Sequence, residues 1–492
     1  MMKTMQQKSH REKGAYTQLL PITKSEYRQY LACQPEFWYY KHCPDEFAGP
    51  PDKETQHIMQ QGNAIESLAR DYFEPSETLQ ISFQRTFKSN QLLAKADIIL
   101  TELPSGINTL IEVKSGTSVK SEYVDDLAFQ VIVAKEEGFT FHRIGVLHVN
   151  GSFVRLGPID VQEFFAFEDV TEAVLAKVPE TRISIEAAIH YLQEEEPVIP
   201  LHAFCSQKLA CPALQKQYPK LPEYSVFDIS GIRQNKLQEL LKQGIVDIQH
   251  VPSGFKLSDR QRFQVEVAQS GAVRISHNNI QRALDTLRFP LYFLDYETLQ
   301  YGIPQYDGVK PYQQMVFQWS LHKLYADDQE PIHLEFLSDG KSHPALEFVR
   351  TLHGKIPYDG GSILVWNKSF ETARNKELAL MYPEFEPFLV YINTRIYDLM
   401  EIFQQQHYVH PEFKGSNSIK QVLPVIDPHL SYHDLEVNQG ILASISWFEL
   451  ITGKISESDK RERMNHLRQY CKLDTLAMVA IYKHLQSVAN PS

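Results

Sequence analysis

Two apolar runs divided by one tight turn constrain this chain more than any other feature. "LLAKADIIL" and "TLIEVKSG" flank Pro104-Ser105-Gly106 and read as two neighbouring buried strands. The first carries Asp97; the second carries Glu112 and, two residues on, Lys114. Period-2 geometry puts Glu112 and Lys114 on one strand face. An Asp followed by Glu-x-Lys on the next strand suits metal-dependent phosphodiester cleavage. Asp97 and Glu112 would hold a divalent cation, Mg²⁺ or Mn²⁺, and Lys114 would stand by the attacking water or the scissile phosphate. The competing reading is that the Asp and the E-x-K fall on solvated strands with no common task.

The flanks add detail. Upstream, "QQGNAIESLARDYF" predicts an amphipathic helix with Ile65, Leu68, Ala69 and Phe73 inward, placing Glu66 four residues after Gly62. Downstream, "YVDDLAFQVIVAKEEG" predicts a second helix that carries Gln130. This order resembles the PD-(D/E)XK nucleases of the RecB type, particularly the small nuclease of CRISPR spacer acquisition, over roughly residues 21 to 220. The resemblance implies that Glu66 adds a metal ligand through a G-x-x-x-[HE] pattern. It implies that Asp97, Glu112 and Lys114 form the D…E-x-K core and that Gln130 opens a Q-x-x-x-Y helix motif. Ala134 stands where that motif has Tyr.

At 492 residues the chain exceeds one ordinary core, so two or three domains are expected. A hydrophobic fraction of 43% with 22% charged residues is ordinary for a soluble globular protein. No apolar run reaches the roughly 18 residues a transmembrane helix needs, so no membrane partner is expected. The opening "MMKTMQQKSHREKGAYTQ" is polar and basic, unlike a secretory signal, and residues 1–20 are expected to be a disordered tail. A net charge of −12 argues against a generally basic nucleic-acid binder, though metal-holding carboxylates contribute to it. Five scattered cysteines do not resemble a secreted disulfide framework, so a cytoplasmic setting is expected.

The resemblance also gives the cysteines a task. Related nucleases tie one N-terminal and three C-terminal cysteines to a [4Fe–4S] cluster. "ITKSEYRQYLACQPEFWYY" puts Cys33 at the first position, and "PVIPLHAFCSQKLACPALQ" supplies Cys205 and Cys211. A cluster normally takes four thiolates. Here three fit, with His202 as a candidate fourth ligand and Gln217 where a further Cys would fall. The alternative is a lost cluster, with Cys205 and Cys211 as ordinary buried thiols.

Residues 223–287 read as a helical connector similar to helix-hairpin-helix modules, with turns at Gly244-Ile245 and Pro252-Ser253-Gly254. Lys256, Arg260 and Arg262 are its candidate phosphate contacts. A solvated spacer is the other reading.

Residues 288–492 begin with a new apolar strand, "RFPLYFLDYETL", carrying Asp295 and Glu297 on one face. "SILVWNKSFETARNKELAL" is a strand running into a helix, with Asn367, Phe370 and Glu371. "RMNHLRQYCKLDTLAMVAIYKHL" is helical and puts Tyr470 and Asp474, four apart, on one face. The ordered D-x-E, N-x-x-F-E and Y-x-x-x-D set resembles the Tyr-type DEDD exonucleases, which have a ribonuclease H-like fold. That resemblance implies that Asp295, Glu297, Glu371 and Asp474 surround two divalent ions, while Tyr470 orients water. Glu371 replaces the usual Asp, and a shift of about 1 Å can cost about a hundredfold in rate. Asp398 and Lys420 are expected to be bystanders, although "GSNSIKQVLP" resembles a segment of the fold that would turn Lys420 toward substrate. The whole order resembles a bacterial family of fusion proteins.

The expected architecture is therefore α/β: a restriction-endonuclease-like domain with its Cys segment at 21–222, the connector, and a ribonuclease H-like domain. The expected function is metal-dependent hydrolysis of DNA, with a second, DEDD-type site. The alternatives are a nucleic-acid-binding or scaffolding protein with one or both sites decayed, or an RNA-processing 3′–5′ exonuclease.

Overall fold

The structure, a computed structural model, describes residues 21–47, 49–204, 211–453 and 455–489. The expected tail at 1–20 and Cys205 lie outside the described residues. The chain is mixed α/β, as expected.

The N-terminal unit begins with strand β1 (Ile22–Thr23) and helix α1 (Lys24–Ala32), which opens on a capping box between Thr23 and Glu26. Helices α2 (Gln34–His42) and α3 (Lys53–Ala69) follow. Then come β2 (Leu79–Lys88), β3 (Leu92–Glu102), β4 (Ile107–Lys114), α4 (Ser121–Glu136), β5 (Arg143–Val149), β6 (Phe165–Asp169) and α5 (Thr171–Tyr191). The sheet runs β1-β3-β4-β5-β6, with β2 also on β3. β3 and β4 are antiparallel about the Pro104-Ser105-Gly106 turn, where Gly106 takes φ 70°. β4 is covered on both faces: Leu110 joins the core under α4, and Ile111 packs with Ile65 and Ala69 of α3. The helix expected to extend to Phe73 ends at Ala69 and gives way to a 3₁₀ turn over Arg70–Tyr72. Phe73 still packs against the α3 cluster from outside the helix.

A small core formed by helices α6 (Gln234–Lys242) and α7 (Asp259–Ser270) makes up the connector, with Gly244 at φ 74° in the turn after α6. Strand β7 (Arg274–Ile275) closes it.

The C-terminal unit contains β8 (Leu291–Leu299), β9 (Met315–Leu324), β10 (Ile332–Leu337), α8 (Pro344–His353), β11 (Ser362–Val365), α9 (Lys368–Met381) and β12 (Ile396–Asp398). After them come β13 (Tyr408–Val409), α10 (Ile419–Ile426), α11 (Gly440–Thr452) and the long α12 (Glu457–Ala489). The sheet order is β10-β9-β8-β11-β12, while β13 pairs with β7 and ties the connector to this unit. β8 is central, and its two faces serve two cores. Tyr292, Leu294 and Tyr296 pack with Phe348 and Leu352 of α8; Leu291 and Phe293 pack with Met478, Ile481 and Leu485 of α12. Alternation along the strand therefore turns Asp295 and Glu297 toward α12. The ladder with β9 slips between Glu297 and Thr298, a bulge beside these acids.

The two units are in direct contact. Beyond β8, residues 300–313 lie across the N-terminal sheet. Gly302 N–H donates to Gln61 of α3 at 3.2 Å, Tyr312 Oη donates to the Ser115 carbonyl just past β4, and Arg155 donates to the Pro304 carbonyl at 2.8 Å. A Cβ on Gly302 would lie 2.8 Å from Tyr312 Oη and 2.9 Å from the tip of Ile65, so a larger residue here would have to displace those side chains. Among the described residues, no helix is long and apolar enough to cross a membrane.

Candidate metal centres

In the N-terminal unit, the carboxylates expected to bind metal are held by side-chain donors, of which Lys114 and Gln130 were expected nearby and Lys24 and Gln84 were not. Glu112 is 2% exposed and carries three donors: Lys24 Nζ and Lys114 Nζ reach Oε1 at 2.5 and 2.9 Å, and Gln130 Nε2 reaches Oε2 at 2.6 Å. Burial opposes ionisation of Glu112, but Lys24 and Lys114 outweigh it and hold the carboxyl at about 2. Lys114 also pairs with buried Asp126 at 2.7 Å. Asp97 takes the Val113 N–H at 2.9 Å, and burial followed by the charge of Glu112 pushes it up to about 7. Gln84 links Glu66 and Asp97, reaching their oxygens at 2.5 and 3.3 Å. It does so from a left-handed backbone, φ 55°, at a gap in the β2–β3 ladder opposite Asp97. The alternation of β3 breaks at the same point: Ala94 and Ala96 face the α4 core, and Ile98 faces α3. Among the described residues, Glu66, Asp97 and Glu112 do not form a trio within 4.8 Å; Glu66 and Asp97 meet instead through the Gln84 amide. Two ammonium groups occupy the place expected of a cation.

Cys33, at the break between α1 and α2, lies within 4.8 Å of Cys211, and Glu36 completes the group. A hydrogen bond from Cys33 is the main cause that lowers Cys211 to about 6. Glu36, and not His202, is the third member of this group among the described residues. Gln217 has a structural task instead: it donates to the Pro197 carbonyl at 2.6 Å and to Tyr39 Oη at 3.2 Å, and accepts from Ile199 N–H.

The connector arginines are also engaged. Arg262 donates to the Ser253 and Phe255 carbonyls at 2.5 and 2.6 Å, and Arg260 to the Gln404 carbonyl, so both guanidinium groups serve the fold of the connector. Lys256 is exposed.

The C-terminal centre is different in kind. Asp295 and Glu297 of β8 face Cys471 of α12, and one ligand atom from each lies within 4.8 Å of the others. Asp474, one turn beyond Tyr470, receives a 2.6 Å hydrogen bond from Tyr432. Burial and then the neighbouring Asp474 raise Asp295 well above the carboxylate range, and burial and then Asp295 do the same to Glu297. Burial raises Asp474 to about 6, against hydrogen bonds from Tyr432 and Tyr470 and the charge of Lys420. Glu371, in the first turn of α9, is 1% exposed; burial and then Asp295 raise it, and its Oε2 has no hydrogen-bond partner. An unpartnered, buried carboxylate oxygen facing other acids is a costly arrangement that a divalent cation would relieve. The donor set therefore fits a divalent metal.

Both expected bystanders act on this centre. Asp398 accepts the backbone N–H of Asn367, Lys368 and Met400 at 3.0, 2.9 and 3.1 Å, anchoring the start of α9, with Asn367 at φ 83°. Lys420 Nζ donates to the Asn438 carbonyl at 2.7 Å and lies 5.4 and 5.2 Å from the ring centroids of Tyr432 and Tyr470. Tyr432 and Lys24 arrive from remote segments and Gln84 through its left-handed backbone, whereas Asp126 lies one turn before Gln130 on the same helix and was open to the same reading. Cys471 did leave a signal, since it follows Tyr470 directly.

A family model described as "Domain of unknown function (DUF2779)" matches residues 292–418, which include Asp295, Glu297 and Glu371 but stop short of Lys420 and α12. The chain is 32% identical over 146 residues to "Uncharacterized protein UU173" of Ureaplasma parvum serovar 3, covering 26% of this chain and 21% of that protein. It is 27% identical over 221 residues to "Uncharacterized protein MG366 homolog" of Mycoplasma pneumoniae, covering 42% of this chain and 33% of that one. The similarity thus spans a third or less of each relative's length.

Proposed function

We propose that this chain is a divalent-metal-dependent nuclease whose principal centre is the C-terminal one. The observation that carries the reading is the buried Asp295–Glu297 pair, with ligand atoms within 4.8 Å of each other and of Cys471, and with Asp474 and the unpartnered Glu371 as charged neighbours of Asp295. Phosphodiester hydrolysis by paired divalent ions calls for such a set, and when bound the ions supply an activated water and neutralise the developing phosphate charge. Asp295, Glu297 and Asp474 would hold the metal, with Glu371 completing the set from α9. Tyr432 and Tyr470 fix the Asp474 carboxylate, and Tyr470 orients the attacking water. Lys420 offers a cation to the substrate phosphate. The ribonuclease H-like, Tyr-type DEDD reading of residues 288–492 agrees with this assignment of roles. The substrate is nucleic acid, DNA first, because the N-terminal arrangement resembles a DNA nuclease.

A specific observation favours a second reading for the N-terminal unit. With Lys24 and Lys114 on Glu112, that centre suits a nucleic-acid-binding module, or a PD-(D/E)XK site that is engaged only when Lys24 withdraws. One experiment tests both readings. Purified wild type, Lys114→Ala and Asp295→Asn are incubated with Mg²⁺ or Mn²⁺ and labelled single- and double-stranded DNA and RNA. Cleavage lost in Asp295→Asn and kept in Lys114→Ala supports the principal reading. The reverse pattern moves the chemistry to the N-terminal unit. No cleavage of any substrate by the wild type overturns the nuclease reading.

A further inference from the structure

We propose that Cys471 is itself a metal ligand, making the C-terminal centre a mixed carboxylate–thiolate site that favours Zn²⁺ or Cd²⁺ over Mg²⁺; this rests on the reading of its acids as a metal centre. Free cysteines are usually buried among apolar side chains. Cys471 is fully buried yet faces acids, with Sγ 3.6 Å from Asp295 Oδ2 and within 4.8 Å of a Glu297 oxygen. Its place on α12 is fixed by the neighbours of that helix. Thr475 bonds Ser320 Oγ and His322 Nδ1, each at 2.8 Å, and the Leu467 carbonyl accepts from Gln318 at 3.0 Å. Cys471 and Asp474, three apart, are therefore presented to β8 together.

The spacing suits ligation. Metal–sulfur and metal–oxygen bonds of about 2.3 and 2.1 Å at a tetrahedral angle put S and O about 3.6 Å apart, and at a right angle about 3.1 Å. The Cys471–Asp295 separation lies in that range without movement of either backbone. Glu371, by contrast, is outside the tight Asp295–Glu297–Cys471 group, and its Oε2 is unpartnered. The thiol thus stands closer to the two β8 acids than the fourth carboxylate does. Coordination replaces the S–H by S⁻–metal and releases one proton. Thiolate is a soft donor that selects against Mg²⁺, which prefers oxygen in strict octahedral geometry.

The test uses the full chain, with Cd²⁺ as the probe, in wild type, Cys471→Ser, Cys471→Ala and Cys33→Ser/Cys211→Ser. The expected result is an ultraviolet sulfur-to-cadmium charge-transfer band that persists in the Cys33→Ser/Cys211→Ser protein but loses its saturable component in both Cys471 variants. Calorimetric Cd²⁺ affinity should fall about tenfold or more in Cys471→Ser, with Mg²⁺ affinity changed far less. An unchanged band and an unchanged Cd²⁺-to-Mg²⁺ preference in Cys471→Ser would overturn the inference. Should neither Cys471 variant fold, anomalous scattering from a Cd²⁺-soaked wild-type crystal decides. A peak within bonding distance of Cys471 Sγ supports ligation; a peak on the carboxylates alone, or none, overturns it. Cd²⁺ bound through sulfur without cleavage of any nucleic acid would sink the nuclease reading alone. Cleavage without a Cys471-dependent signal would sink the thiolate alone.

Discussion

Tyr432 donates a 2.6 Å hydrogen bond to Asp474 Oδ1, joining the loop before α11 to the helix that carries the last acid of the C-terminal centre. The bond favours the ionised carboxylate against its burial. In Tyr432→Phe the Asp474 carboxyl should move above its value of about 6. The acidic limb of the Mn²⁺-binding profile should then shift to higher pH. Calorimetric Mn²⁺ titrations at several pH values measure it, and an unmoved limb would count against the assigned role of Tyr432.

Lys24 acts as a resident counter-ion for Glu112. Lys24→Ala should lower the stability of the metal-free protein by about 1–3 kcal/mol, the usual range for a lost charged hydrogen bond. If Mn²⁺ takes the place of the ammonium, Mn²⁺ at about 100 times its dissociation constant should restore about 2.7 kcal/mol. Melts with and without Mn²⁺ read both effects; equal deficits in the two conditions would exclude a cation site at Glu112.

Asp97 gives a pH dependence with a definite sign. Its folded-state carboxyl sits at about 7 against an ordinary 3.8, so the folded state holds the proton more tightly than the unfolded one. Its contribution to stability is therefore full at low pH and lost as pH rises from about 4 to about 7. Glu112 behaves oppositely: its contribution is present above its ordinary 4.5 and lost as pH falls toward about 2. Asp97→Asn should flatten the decline in melting temperature between about pH 4 and 7. A slope identical to wild type would refute the assignment.

Asp398 holds no metal in the proposed scheme, yet its loss should impair the centre. Asp398→Ala leaves two backbone N–H groups at the start of α9 and that of Met400 after β12 without their acceptor and should cost about 1–3 kcal/mol. Cleavage should fall with it, because Glu371 rides on that first turn. Chemical denaturation beside the cleavage assay checks this; full activity with full stability would show that the anchor is dispensable.

Arg262 supplies a contrasting case. Its guanidinium is spent on the Ser253 and Phe255 carbonyls. Arg262→Ala should destabilise the connector by about 1–2 kcal/mol while leaving the salt dependence of nucleic-acid binding unchanged. A salt slope reduced by about one would restore its reading as a phosphate contact.

Local patterns were legible wherever chemistry follows the period of one element. Alternation put Asp295 and Glu297 on one face of β8, and helical spacing put Tyr470 and Asp474 on one face of α12. The turn at Gly106 and the paired strands around it were legible for the same reason. What failed to show were the partners that tertiary structure delivers. Lys24 reaches Glu112 from the start of α1, and Tyr432 reaches Asp474 from a loop. Gln84 bridges Glu66 and Asp97 only because its backbone turns left-handed within β2, which no alternation rule anticipates. Asp398 looked idle because its work is done on another element, the start of α9. The extra length of Phe73 on α3 was misjudged because apolar contact continues after helical geometry stops.

The strand bearing Asp295 and Glu297 runs straight into residues 300–313, which rest on α3 and on the residue after Lys114. What joins the halves is thus a surface as well as a tether. A protease nick in the connector, at the exposed Pro252-Ser253-Gly254 turn, should leave two fragments that still elute as one particle, and neither half should be expected to behave as a free-standing domain.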